Sequence, residues 1–220
     1  MKTFRRFAKL SLALVASLTI TMQANAASLA VYLDEVNVDL GFSEGTNYLK
    51  VTVSDGADGN IDFTVETLDS LSNLAGSNFG IQSFSLNFGD SGATAANLQL
   101  NDDWGVKDNS PNHSIFGRFD VQLNGKGNSR QDPLEFSIVG VSGDTPDDYV
   151  TELSSRNALF AAHVAGFDSS SAGGNASSAQ FGGSSVVPVP ASAWLMLSGL
   201  AVLWARARRK VAVTESTATI

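Results

Sequence analysis

The sequence predicts a mostly β fold, a two-sheet β-sandwich ectodomain with one short helix, flanked by an N-terminal signal peptide and a C-terminal transmembrane helix. Three observations predict it. From Ala30 onward, apolar and polar residues alternate over short runs, the period of a half-buried strand. These runs recur at short intervals divided by Gly, Asn, Asp and Ser, the spacing of strands in two packed sheets. At each end of the chain an apolar stretch lies next to a cluster of basic residues, the mark of segments that engage a membrane.

The first element is the leader. Lys2, Arg5, Arg6 and Lys9 precede an apolar run over residues 10–20. Ala24-Asn25-Ala26 then gives the small-x-small pattern that signal peptidase reads through Ala24 and Ala26. The run falls short of the roughly 20 residues of a spanning helix and is followed by Thr21 and Gln23, which favours cleavage over anchoring. Residues 1–26 are therefore expected to pass through the export machinery and be removed, leaving Ala27 at the new end.

The ectodomain is expected over residues 27–167. Val31, Leu33, Val36, Val38 and Leu40 read as an opening strand pair broken at Asp34-Glu35. Residues 48–54 and Ile61–Thr67 alternate cleanly around Asp55-Gly56-Ala57-Asp58-Gly59-Asn60, a hairpin. Further strands are predicted over residues 81–88, 97–100, 115–123, 134–141 and 159–167. One helix interrupts them: Thr145 suits the N-cap, Pro146 the first helical position, and Asp147 and Asp148 the positive end of the dipole, with the helix running to about Ser155. Residues 168–185 turn to Ser, Gly and Ala, a composition that buries too little apolar surface to offset ordering. They read as a spacer, with a last strand near Gln180-Phe181.

Charge narrows the partners. The whole chain carries −8, but eight of its 14 basic residues lie in the terminal segments. Between them six basic residues face 21 acidic ones, a net charge near −15. Nucleic acid and anionic membrane surfaces are poor partners for such a domain; cations or neutral polysaccharide fit better. There is no cysteine, so disulfides, thiolate metal sites and a cysteine nucleophile are excluded, and the fold must hold by burial.

Candidate chemistry is sparse. Asp55, Asp58, Asn60 and Asp62 put four oxygen-bearing side chains within eight residues, which suits Ca²⁺ as well as a solvated hairpin turn. Neither register matches an EF-hand loop: from Asp55, positions three and five are Ala57 and Gly59, and from Asp58 the glycine position is Phe63. Asp102, Asp103 and Trp104 combine acceptors with the ectodomain's only Trp, the chemistry of a sugar site and equally of a Trp closing a sandwich edge. Asp102-Asp103 and Asp147-Asp148 are better explained as a loop and a helix N-terminus than as a glycosidase pair. His113, in a polar loop, and His163, on the outward face of a strand, lack ligand spacing or a nucleophile elbow. The ectodomain is thus expected to be non-enzymatic. Asn112-His113-Ser114 and Asn175-Ala176-Ser177 fit the N-glycosylation pattern.

The C-terminal region has three ordered parts. Val187, Pro188, Val189, Pro190 and Ala191 hold the backbone extended; an apolar run follows over residues 191–205; Arg206, Arg208, Arg209 and Lys210 then form a cluster that stays cytoplasmic. Trp194 and Trp204 stand near the two ends of the run, where interfacial aromatics sit. With Trp194-Leu195 and Ser198-Gly199-Leu200, residues 186–210 resemble the PEP-CTERM sorting signal of Gram-negative bacteria in its V-P-V-P-A variant. Val189 stands where the family's central Glu would be, and residues 211–220 form a cytoplasmic tail past the usual end. The resemblance implies that an exosortase recognises the signal and processes the chain near the prolines. It further implies an inner-membrane anchor with the ectodomain in the periplasm before processing. Afterwards it implies a surface or extracellular-matrix protein associated with exopolysaccharide. A membrane-anchored carbohydrate-binding module, with Ca²⁺-dependent binding, is the other expectation.

Overall fold

The computed structural model describes residues 27–42, 45–125, 128–168 and 176–188. Twelve strands form two six-stranded antiparallel sheets packed as a sandwich. In chain order they are β1 (Ser28–Leu33), β2 (Glu35–Val36), β3 (Leu49–Asp55), β4 (Ile61–Thr67), β5 (Ala75–Leu86) and β6 (Leu98–Gln99), then β7 (Trp104–Lys107), β8 (Val121–Gly125), β9 (Leu134–Ile138), β10 (Phe160–Phe167), β11 (Ser178–Gly183) and β12 (Ser185–Pro188). A single turn of helix, α1 (Asp69–Ser72), joins β4 to β5. The first sheet runs β12-β1-β3-β4-β9-β6 and the second β2-β11-β10-β5-β8-β7.

Alternation decides what faces inward. In β3 and β4 the buried set is Leu49, Val51 and Val53 against Ile61, Phe63 and Val65, while Lys50, Thr52, Asp62 and Thr64 lie on the outer face. Registers Val53↔Phe63 and Phe63↔Phe136 carry this pattern across the sheet. In the second sheet Phe181, Ala162, Phe84 and Leu123 share one inner row. Aromatic rings join the layers: Phe63 stacks on Phe136 at 4.7 Å, Phe84 lies 5.8 Å from Phe136, and Phe160 meets Phe63 edge-on at 6.4 Å.

The predicted hairpin lies at β3-β4, where Gly56 N–H donates to Asn60 O and positive φ falls on Asp58 and Gly59. The break at Asp34 is where the chain changes sheets, so β1 and β2 are neighbours in sequence but not in pairing. Several expectations are corrected. The strand over residues 115–123 is two things: a 3-10 turn at Ser114–Phe116, then β8. Positive φ at Ser114 and Gly117 breaks the run between them. The helix after Thr145 is a 3-10 stretch, Pro146–Val150. Its N-terminus is as expected, with Thr145 N–H and Oγ1 both donating to Asp148 Oδ2. It stops short of Ser155 because the following residues bond elsewhere, Ser154 Oγ donating to Phe116 O and Ser155 Oγ accepting from Arg118 N–H.

The largest correction is past residue 167. The last strand expected near Gln180-Phe181 is there, but as Ser178–Gly183 it is an interior strand of the second sheet rather than part of a spacer, with Ala179 and Phe181 in the core. Its glycines serve close approach: a Cβ on Gly182 would lie 2.3 Å from Phe116 Cδ1, and one on Gly183 2.3 Å from Tyr32 O. Low apolar content here reflects contact across a short gap. No helix among the described residues is long and apolar enough to cross a membrane. The leader, the apolar run over 191–205, the basic cluster and the tail lie outside the described residues.

Candidate functional site

Two regions bear on function, an edge of the first sheet and the outer face of the second. At the edge, β12 pairs antiparallel with β1 in the register Leu29↔Pro188, Ala30↔Val187, Val31↔Val186 and Tyr32↔Ser185. The sorting motif thus begins inside a strand: Val187 and Pro188 belong to β12, whereas Val189, Pro190 and Ala191 lie outside the described residues. Val186 and Val187 are exposed, Val187 at 47%, as suits an edge strand covered on one side only. Because the pairing is antiparallel, the start of β1 and the end of β12 share one end of the sandwich.

On the second sheet, a groove of about 530 Å³ opens between β5, β10, β11 and the segment before β9. Gln82, Arg130, His163, Asp168, Ser177 and Ser178 line it. Register shifts in the β5-β10 pairing after His163 make this part of the sheet irregular. Burial, then the charge of Arg130, lowers the His163 pKa, so its imidazole is neutral near pH 7. Arg130 Nη1 donates to Asn78 O, but its buried Nε has no partner among the described residues. The same holds for Oε1 of Gln180, which stands opposite His163 on β11. Amide, hydroxyl, neutral imidazole and one guanidinium together suit a hydrogen-bonding ligand.

Beside the groove, the loop over residues 111–119 folds onto the same face and forms a small second core of Phe116, Phe119, Ala158 and Ala161. His113, placed by its sequence context in a polar loop, is 2% exposed there. Its Nδ1 accepts from the Gln122 amide at 3.2 Å and lies 2.7 Å from Ser85 Oγ, while Nε2 has no partner among the described residues. Burial, with a smaller contribution from His163, pushes its pKa down to about 4. This Ser-His pair is sealed, since Ser85 is 0% exposed, and it serves packing. Neither Arg130 nor the Ser85-His113-Gln122 cluster was visible as a site in the sequence, because pairings across β5, β8 and the loop bring them together.

The other expected site residues are placed as follows. Asp55 Oδ2 accepts the Ala27 N–H at 2.7 Å and Asp62 Oδ1 accepts from Ser137 Oγ at 2.6 Å, while Asp58 is exposed in the turn and Asn60 closes it. No group of three or more His, Asp or Glu among the described residues is arranged to hold a metal. Asp102 and Asp103 are exposed, but Trp104 is 6% exposed and belongs to the main core. Its ring lies over Gly125, whose added Cβ would come 3.1 Å from Cε2 and Cζ2. Trp104 closes the β7 edge and offers no open face for a sugar to stack on. No family model, no curated protein and no solved structure matches this chain.

Proposed function

We propose that this chain is a non-enzymatic exported protein, held at the inner membrane by residues 186–210 until an exosortase processes it near Pro188 and Pro190 for surface or extracellular-matrix duty among exopolysaccharide. One observation carries the reading: Val187, Pro188, Val189, Pro190 and Ala191, the apolar run over residues 191–205 and the basic cluster of Arg206, Arg208, Arg209 and Lys210 follow one another in that order. The start of β1 and the end of β12, the described residues nearest the two signals, lie side by side in the first sheet. The partners are signal peptidase, the export machinery, the membrane and the exosortase.

Topology is testable because the chain has no cysteine. In cells lacking the exosortase, Ser72→Cys on the exposed α1 turn is expected to react with a membrane-impermeant maleimide in intact spheroplasts. Thr214→Cys in the tail is expected to react only after lysis. Labelling of both, or of neither, before lysis would contradict the proposed orientation.

A second reading, a carbohydrate-binding module, is favoured by the groove rather than by Trp104. Gln82, His163 and Ser178 supply both donors and acceptors for sugar hydroxyls. In electrophoresis through gels containing the producing cells' exopolysaccharide, the protein is expected to be retarded. Gln82→Ala with His163→Ala is expected to abolish retardation at unchanged circular dichroism. Equal mobility of the two proteins would remove the groove from consideration.

A further inference from the structure

We infer that Asp55 is the docking carboxylate for the α-ammonium that leader removal creates on Ala27, an inference that rests on cleavage after Ala26. In the intact chain Ala27 N is a peptide amide, and its N–H donates to Asp55 Oδ2 at 2.7 Å. The neighbouring bond runs the other way, Asp55 N–H donating to Ala27 O at 3.1 Å. Hydrolysis of the Ala26–Ala27 bond adds water across it: the hydroxyl goes to the Ala26 carbonyl carbon and one proton to the Ala27 nitrogen, and near neutral pH the new carboxyl group then gives up its proton while the amine takes one up. That nitrogen is left as an ammonium facing an acceptor already within hydrogen-bond distance. A neutral amide contact becomes a charge-assisted one, shorter and stronger in kind.

The surroundings favour the charged form. Ala27 meets the end of β3 and the hairpin turn, whose charged groups are Asp55, Asp58 and Asp62, and the next strand over contributes the uncharged end of β12 at Pro188. Lys50, the basic residue of β3, lies toward that strand's other end and pairs with Glu66 at 2.9 Å. The consequence reaches the sorting motif, since β1 is the strand on which β12 is zipped. Leader removal would pin Ala27, the residue that leads into β1, and steady the platform for Val187 and Pro188.

The test uses the mature protein recovered from exporting cells, with its N-terminus established by intact mass, beside Asp55→Asn, which keeps an acceptor and removes the charge. The pH dependence of reductive methylation at the α-amine, read by mass spectrometry, gives its pKa. The inference predicts a value raised by roughly half a unit over an ordinary α-amine, as expected for an exposed pair. It also predicts loss of that shift in Asp55→Asn and in wild type at 1 M salt. A chain beginning at Ala27 with the same amine pKa in both proteins and at both salt concentrations would overturn the inference and leave the cleavage reading intact. A chain beginning at another residue would overturn both.

Discussion

At the scale of single residues, the consequential side chains are the ones that composition hides. His113 is buried neutral, so acid acts on it directly. Its pKa is near 6.5 in the unfolded chain and about 4 in the fold, and the unfolded state therefore binds the proton first. Its contribution is complete above pH 6.5 and is lost as pH falls to 4, a difference on the order of 3 kcal/mol. His163, also lowered, acts in the same direction. Urea unfolding from pH 7 to 4 is expected to show this loss in wild type and a shallower slope in His113→Phe; parallel slopes would contradict it. Gly182 gives a steric counterpart. A methyl there meets the ring of Phe116, so Gly182→Ala is expected to lower stability by about 1–3 kcal/mol, measured as a drop in urea midpoint at unchanged m-value. Neither residue was legible as important in the sequence. Histidine in a run of Asn, Ser and Pro reads as solvated, and glycine among serines reads as linker, until the loop and strand that cover them are known.

At the scale of elements, legibility followed the strength of the local pattern. β4 was predicted at its observed bounds and β3 within one residue at each end, because alternation and the Asp/Gly/Asn turn agree. The capping box at Thr145 was legible at its start, where the signal is local, and misjudged at its end, where hydrogen bonds to the 111–119 loop take over. Thr145→Ala is expected to cost about 1 kcal/mol in thermal or urea unfolding. β7 and β12 were missed because each is four residues long at a sheet edge, held by one neighbour. β12 is the more consequential. Ending the chain after Gly183 rather than after Pro188 would leave β1 paired only with β3 and open a new edge, with an expected loss of stability and increased self-association by light scattering. Processing on the C-terminal side of Pro188 would leave β12 in place.

At the scale of the whole molecule, two six-stranded sheets close around the aromatic centre of Phe63, Phe84, Phe136 and Phe160. Phe63→Ala is expected to cost roughly 3–5 kcal/mol, enough to unfold a marginal domain. The sequence foretold the sandwich from its alternation, but the groove around His163 and Arg130 depends on which strands become neighbours, and residue order does not state that. The shared end of β1 and β12 is likewise a product of topology, and it is what ties the fold to the proposed sorting. The most direct test is the intact mass of the protein recovered from cells with and without their exosortase, beside Pro188→Ala with Pro190→Ala. The account predicts loss of the C-terminal mass from about Pro190 onward only where both the enzyme and the prolines are present. An unchanged C-terminus in every sample would contradict it and leave a plain membrane-anchored domain.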